Sequence, residues 1–180
     1  MQKLTFFIFF IFIGVGVQAQ EINWMSMNEA LAAQEKEPKK IFMDAYTVWR
    51  GPCKMLDKNT FTNYDVIEFV NENYYPVKFN AEGPEEIDFK GQLFKNPQYN
   101  PEKKTRRNSP HQLARALKIT GYPSLVFFDE EANLIAPIPG YRTPQQLELY
   151  LKLFAEDEYK KMTSKEAFAD YQENFEGSFE

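Results

Sequence analysis

The segment Trp49-Arg50-Gly51-Pro52-Cys53 contains the one residue of this sequence that is suited to thiol chemistry. Cys53 is the only cysteine among 180 residues, so no disulfide can form within the chain. Thiol–disulfide exchange needs an exposed, low-pKa thiolate to attack and a second thiol to resolve the mixed disulfide. Arg50 supplies neither, because its guanidinium stays protonated and is not a nucleophile. The sequence therefore excludes a two-cysteine redox cycle within this chain.

Two interpretations of Arg50 are compatible with the sequence. In the first, Arg50 is a solvent-exposed substitution that has no function. In the second, its forked donors lie above the free amides of a helix start and bind a carboxylate or another anion. A cation at the positive end of a helix costs only about 0.3–1 kcal/mol. Because that cost is tolerable without any function, the sequence favours the first interpretation.

Metal and protease sites lack the residues that they require. His111 is the only histidine, so zinc-ligand sets and Cys/His dyads cannot be assembled. The stretch "SPHQLARALKIT" predicts a helix with Ser109 as the cap, Pro110 in the first turn and Gln112 completing a capping box. His111 would then lie in an exposed first turn without a catalytic role. We expect no metal and no cofactor.

The first twenty residues predict a secretory signal peptide. They contain one lysine, an apolar run from Leu4 to Ile13, and small residues with Val17 and Ala19 placed as a cleavage site requires. The apolar stretch is shorter than the roughly 20 residues that a bilayer core demands, which argues against an uncleaved anchor. We expect residues 1–19 to be removed, leaving no stable membrane anchor and a protein exported to a bacterial periplasm.

Composition limits the class of protein further. The chain has 21 basic and 26 acidic residues, and removal of Lys3 with the signal peptide changes the net charge from −5 to −6. This balance argues against a nucleic-acid partner. With 43% hydrophobic residues, the chain is long enough to bury the core of one globular domain.

Four apolar runs predict β-strands, and four capping patterns predict helix starts. The strands are expected at 40–46, 74–80, 124–128 and 134–142, and the helices at or near Ser26, Pro52, Asn63 and Thr143. Strand, helix and strand in this order predict a parallel pair with a crossover helix. The last two strands, separated by "DEEAN", predict an antiparallel hairpin.

Two further segments complete the expected organisation. Residues 82–108 break the periodicity and are too long for an ordinary connection. They form either a solvated surface excursion or, as the family resemblance below implies, a segment that borders the site, and the two are equally compatible with the sequence. "SKEAFADYQENF" predicts a last helix in which Phe168, Tyr171 and Phe175 are packing residues.

The order of these elements, together with "WRGPCK" and "GYPSLVFFD", resembles the thioredoxin family over most of residues 24–155. The family has a tryptophan, a reactive cysteine, glycine, proline and a second cysteine at a helix start; only Arg50 departs from this pattern. The resemblance implies an α/β thioredoxin fold with a central mixed β-sheet flanked by helices, an insertion after the central strand and a C-terminal helical extension. The expected units are a signal peptide at 1–19, a thioredoxin-like domain at 20–158 with the insertion 82–108, and the extension at 159–180.

The resemblance also implies three candidate catalytic residues. Asp44 matches a buried carboxylate that assists proton transfer from the second cysteine, and Lys78 matches its lysine neighbour on the next strand. Cys53 is the residual thiol, which in the family lies shielded behind the first cysteine, where desolvation raises a thiol pKa. Alternatively, Asp44 and Lys78 persist only as a structural ion pair.

The candidate peptide-binding residues follow from the same resemblance. Pro123 in "GYPS" matches the family's cis-proline, which faces the dithiol and offers backbone to an extended peptide, and Gly140 matches a glycine common after the final strand. The candidate set is Trp49, Tyr122 and Pro123.

We therefore expect an exported member of the thiol-disulfide oxidoreductase family that is redox-impaired and serves as a peptide- or protein-binding module. One alternative is a monothiol disulfide oxidoreductase or isomerase that uses Cys53. Another is a site variant of an otherwise active thioredoxin-like enzyme. The sequence leaves the oligomeric state open.

Overall fold

A computed structural model describes residues 21–180, so the predicted signal peptide at 1–19 lies outside the described residues. The strands are β1 (Ile41–Tyr46), β2 (Tyr75–Asn80), β3 (Ile87–Phe89), β4 (Gln92–Phe94), β5 (Ser124–Phe128) and β6 (Leu134–Pro139). The helices are α1 (Met27–Gln34), α2 (Gly51–Met55), α3 (Tyr64–Asn73), α4 (Gln112–Ala116), α5 (Pro144–Ala155) and α6 (Lys165–Glu173). A π-helical turn, Leu56–Thr60, continues α2 directly.

The main sheet has four strands in the order β2-β1-β5-β6. β1 and β2 run parallel, with Asp44 opposite Lys78. β5 runs antiparallel to β1 and to β6. The predicted parallel pair and the predicted C-terminal hairpin are both confirmed, and the sheet is mixed as expected.

Each face of this sheet carries a hydrophobic cluster, because successive side chains of a strand point to opposite faces. On β1, Ile41 and Met43 belong to the cluster with α1, α4 and the β3–β4 hairpin. Phe42 belongs to the other cluster, with α3, α5 and the C-terminal residues. Asp44 is two residues beyond Phe42 and therefore lies on that second face.

The helix starts at Ser26, Asn63 and Thr143 agree with the prediction. Ser26 and Thr143 each form a complete capping box with the glutamate or glutamine three residues on. The Asn63 side chain accepts a hydrogen bond from the backbone N–H of Val66. These caps depend on residues within one helical turn, which is why the sequence pattern locates them well.

The first part of the insertion at 82–108 packs against the rest of the domain. Its β3–β4 hairpin contributes the buried side chains of Ile87 and Phe94 to the α1-side cluster. The Asn28 side chain of α1 donates to the Glu86 carbonyl and accepts from the Asp88 amide. The solvated-excursion interpretation is therefore wrong for this part of the segment.

The predicted start of α4 is also wrong. The helix begins at Gln112, its N-cap is His111, and His111 is fully buried rather than exposed. Its Nδ1 accepts a hydrogen bond from the Leu113 amide at 3.1 Å, and its Nε2 donates to the Glu85 carbonyl at 2.7 Å. The ring also packs edge-on against Phe79. Burial of the imidazole thus outweighs the local capping pattern that begins at Ser109.

The C-terminal segment packs on the second face of the sheet. Phe168 and Tyr171 of α6 join the cluster of that face, as predicted. Beyond α6, the backbone amides of Ser178 and Phe179 donate to the buried carboxylate of Glu148 on α5. Within residues 21–180, no helix has the length and apolar character needed to cross a membrane.

The first prediction concerns the buried histidine. His111→Ala is expected to lower the free energy of unfolding by about 2 kcal/mol at pH 7.5, since it removes a helix cap and a buried hydrogen bond. Burial lowers the pKa of His111, although the Glu85 carbonyl acts in the opposite direction. The unfolded state then binds the proton first, so the stabilisation is complete above about pH 6.5 and is lost as the pH falls.

Urea unfolding at pH 7.5 and pH 5.0 measures this difference between wild type and variant. Ser109→Ala is the matched control; it removes only the hydrogen bond from the Ser109 hydroxyl to the Gln98 carbonyl and should cost about 0.5–1 kcal/mol, equally at both pH values. A His111→Ala penalty of equal size at both pH values would contradict the assigned neutral imidazole.

Candidate functional site

The site begins at the loop that follows β1 and leads into α2. Arg50 occupies the N-cap position with extended backbone, Pro52 lies in the first turn, and Cys53 lies inside the helix. The helix thus starts next to Pro52, as the sequence predicted. Within this segment, Trp49 and Arg50 are half-buried.

Cys53 is buried, with only 1% of its surface exposed. Burial raises the pKa of its thiol, and the nearby carboxylates of Asp44 and Asp57 raise it further, while the backbone amide of Thr47 acts in the opposite direction. A buried thiol with a raised pKa stays protonated near neutral pH and is a poor nucleophile. The solitary sulfur is therefore shielded, as the resemblance implied.

Asp44 and Lys78 form the ion pair that their cross-strand register allows. Lys78 Nζ lies 2.7 Å from Asp44 Oδ2, and the carboxylate is buried. The contact lacks hydrogen-bond geometry, and neither oxygen of Asp44 accepts a hydrogen bond from the described residues. Burial raises the pKa of Asp44 to about 6, although Lys78 acts to lower it. Asp44 can therefore gain or lose a proton close to neutral pH.

Sequence analysis missed a second carboxylate at this position. Asp57, on the π-helical turn, forms a salt bridge with Lys78. Burial alone would lower the pKa of Lys78, but Asp44 and Asp57 outweigh it and raise that pKa. Asp57 is four residues after Cys53, one helical turn further along the same face. This four-residue spacing could have identified Asp57 as a site residue from the sequence.

The lysine is also enclosed by aromatic rings. Its Nζ lies 4.8 Å from the ring centroid of Trp24, 5.1 Å from that of Tyr46 and 4.9 Å from that of Phe61. Such contacts stabilise a cation where water is largely excluded. Lys78 is therefore held in its charged form by two carboxylates and three aromatic rings.

Arg50 is half-buried and lies against aromatic rings. Its guanidinium carbon is 5.1 Å from the ring centroid of Trp49 and 5.9 Å from that of Tyr122. Its Nη1 donates to the Tyr122 carbonyl over a long 3.4 Å. Its Nε is buried and has no hydrogen-bond partner in the described part of the chain.

The Tyr122–Pro123 peptide bond is cis, and this loop leads directly into β5. The Pro123 carbonyl accepts a hydrogen bond from the Gly140 amide at 2.8 Å. Gly140 has φ +93°, a backbone conformation that other residues rarely adopt. Tyr122 is half-buried and Pro123 is buried, so Tyr122 provides the accessible surface of this loop.

Both ends of the insertion border the site, which was one of the two expectations. Trp49 Nε1 donates to Glu82 Oε2 at 2.8 Å, and the amide of Asn108 donates to the same oxygen, also at 2.8 Å. Glu82 is buried. This carboxylate links the two ends of the insertion to the Trp49 indole, a role that the sequence did not indicate.

Comparison with known proteins agrees with this geometry. A family model described as a thioredoxin-like domain matches residues 27–155. A thioredoxin-fold protein from Helicobacter pylori is 15% identical, with 81% of this chain and 94% of that chain covered and a TM-score of 0.59. A putative disulphide-isomerase from Bacteroides thetaiotaomicron is 25% identical, with 77% and 97% covered and a TM-score of 0.52.

A thioredoxin from Thermus thermophilus is 14% identical, with 87% of this chain and 98% of that chain covered and a TM-score of 0.52. A search of curated proteins gave no match to this chain. The chain belongs to the thioredoxin-like domain family, and the predicted thioredoxin fold is confirmed. The family and the fold support membership of this protein in the thiol-disulfide oxidoreductase family. The chain has a single cysteine.

The second prediction concerns the ion pair of Asp44 and Lys78. Lys78→Met is expected to cost about 3–5 kcal/mol of unfolding free energy at pH 7.5, because it leaves the buried Asp44 charge without a partner. Asp44→Asn should cost less, since Lys78 keeps Asp57. The ordinary pKa of Asp44 is 3.8 and its folded value is about 6, so the folded state binds the proton more tightly. The stability that this group contributes is complete below about pH 4 and is lost as the pH rises through about 6.

The Lys78→Met penalty should therefore shrink between pH 7.5 and pH 5, as urea unfolding at the two pH values would measure. Lys58→Met changes an exposed lysine on the same π-helical turn and is the control. An equal penalty at both pH values would assign the loss to packing of the lysine stem instead of to the stranded charge.

Proposed function

We propose that this protein is an exported thioredoxin-like protein that no longer catalyses thiol–disulfide exchange and instead binds peptides. The observation that carries the proposal is the location of Arg50. A half-buried guanidinium lies where the family has its attacking thiol, and the one remaining sulfur is 1% exposed. Trp49 and Tyr122 are the proposed peptide-binding side chains, and the buried Pro123 contributes through the cis peptide bond that it forms with Tyr122.

The chemistry supports the loss of redox turnover. A thiol attacking a disulfide forms a mixed disulfide, and release of the product requires a second thiol to attack that bond. With one cysteine in the chain, resolution depends on a thiol from another molecule. Asp44 could accept the Cys53 proton, but its charge disfavours the neighbouring thiolate.

The loop geometry supports peptide binding. Trp49 and Tyr122 present half-buried aromatic rings beside the Tyr122–Pro123 backbone. The Tyr122 carbonyl is engaged by Arg50 over 3.4 Å, a distance at the weak end of hydrogen bonding. An extended peptide can displace this contact at small cost and pair with the backbone there.

Export and processing belong to the same proposal. The signal-peptide pattern supports a mature chain that begins near residue 20 and resides in a bacterial periplasm, with the thioredoxin-like domain at 20–158 and the helical extension at 159–180. The putative disulphide-isomerase of Bacteroides thetaiotaomicron, which has the same fold, is a bacterial protein.

The third prediction tests the remaining thiol. In the native protein at pH 7.5, iodoacetamide should alkylate Cys53 at least about tenfold more slowly than in urea, because the buried thiol reacts only when the structure opens. Intact-protein mass spectrometry over time gives both rates. Native alkylation as fast as that of the unfolded chain would favour a monothiol oxidoreductase or isomerase.

A matched control places a thiol on the exposed side of the same helix. Lys54 is exposed, so Lys54→Cys combined with Cys53→Ser should react rapidly without urea. Slow reaction of this variant would show that the whole helix is inaccessible and that the assay does not report on Cys53 alone.

The fourth prediction tests the redox part of the proposal. The wild-type protein should show no repeated reduction of insulin disulfides with dithiothreitol above the uncatalysed rate, since Arg50 cannot attack a disulfide. Sustained turnover by wild type would contradict the proposal. Arg50→Cys then distinguishes between the remaining alternatives. The double variant that combines Arg50→Cys with Cys53→Ser is its control. Full turnover by Arg50→Cys would favour the site variant of an ordinary enzyme, whereas no turnover would favour a binding role.

A further inference from the structure

Three arginines from separate segments meet in one cavity beside the Tyr122–Pro123 loop. The cavity has a volume of about 290 Å³ and is lined by Arg50, Arg107 and Arg115. Arg50 precedes α2, Arg107 lies near the end of the insertion, and Arg115 lies on α4. We call this cavity the arginine pocket. Trp49 and Tyr122 also line it, so it adjoins the proposed peptide-binding residues.

The charges of the arginine pocket are not balanced from within. Among residues 21–180, none of the three arginines forms a salt bridge. Glu82 lines the pocket too, but its Oε2 is already occupied by the Trp49 indole and the Asn108 amide. The pocket therefore keeps an excess of positive charge in a chain whose net charge is −5.

The donors of Arg50 are incompletely used. Its Nε is buried without a hydrogen-bond partner in the described part of the chain, and its Nη1 makes only the 3.4 Å contact with the Tyr122 carbonyl. A buried donor without an acceptor is costly. An anion that enters the pocket would accept from these groups and lower that cost.

The shape of the pocket favours a carboxylate over a larger ligand. A volume of about 290 Å³ lies at the lower limit of small-molecule sites and suits one or two side chains. Ala114 and Ile119 give it an apolar wall, against which the methylenes of an acidic side chain can pack. Guanidinium groups bind carboxylates through paired, charge-assisted hydrogen bonds.

We propose that the arginine pocket binds a carboxylate of an extended peptide that lies along Trp49 and Tyr122. This inference rests on the proposed peptide-binding function and specifies its ligand class. The carboxylate belongs either to an aspartate or glutamate side chain or to the free C-terminus of the peptide. Both sources share the same chemistry at the arginines.

An array of random octapeptides, probed with the labelled mature protein, separates these sources. One set carries amidated C-termini and the other free C-termini. Binders enriched in aspartate and glutamate in the amidated set would support a side-chain carboxylate. Binders restricted to the free-terminus set would support a terminal one. Binding without either preference would overturn the inference and leave the proposed function standing, whereas the absence of any binder would overturn both.

The fifth prediction assigns the affinity to the arginine pocket. Fluorescence anisotropy of the best labelled binder should show that Arg107→Gln and Arg115→Gln each weaken binding about tenfold, the factor for one charge-assisted hydrogen bond. Arg106→Gln is the matched control, because Arg106 is exposed and adjacent in sequence but does not line the pocket. Its affinity should stay at the wild-type value.

Both pocket arginines outside the site loop are exposed, so their substitutions should leave the fold unchanged, as thermal unfolding verifies. The wild-type affinity should fall as NaCl is raised from 50 to 500 mM, in the manner of an interaction between charges. Equal affinities of the Arg107, Arg115 and Arg106 variants would overturn the proposal.

Discussion

The central position of β1 determines the geometry of the whole site. Its parallel pairing with β2 sets Lys78 opposite Asp44, and its antiparallel pairing with β5 sets Ser124 opposite Ala45, which brings the adjacent Pro123 to the end of β1. The chain leaves β1 through Trp49 and enters α2. Because β1 is buried on both faces and paired along both edges, its register cannot shift by one residue without moving Asp44 into the other cluster. The catalytic-type surroundings of Cys53 therefore follow from the packing of the sheet.

Two buried groups near the start of α2, the Cys53 thiol and the Asp44 carboxyl, bind their protons more tightly than the same groups do in water. Cys53 and Asp44 are both buried, and burial raises the pKa of each group. Lys78 is the cation shared by two carboxylates, Asp44 and Asp57. In a dithiol enzyme such a buried acid can take up a proton as the inner thiol attacks. This chain has one cysteine, and its buried ion pair of Asp44 and Lys78 carries a desolvation cost.

Local patterns in the sequence were sufficient for the four strands of the main sheet and for the caps at Ser26 and Thr143, since these depend on neighbouring residues, but they did not predict β3 and β4. They failed where distant residues decide the outcome. Ser109 begins a good capping pattern, yet α4 starts later because the His111 ring is buried against another element. The link from Glu82 to the Trp49 indole likewise depends on the path of the insertion, which no local pattern encodes.

Arg50 illustrates why a single substitution can change a site without disrupting the fold. A guanidinium at a half-buried position would be costly if apolar groups alone surrounded it. Here the rings of Trp49 and Tyr122 lie beside it, and ring faces attract cations while also packing against the planar group. Trp49 also donates a hydrogen bond to the Glu82 carboxylate. These neighbours therefore suit a cation, and Arg50 presents hydrogen-bond donors at the start of α2.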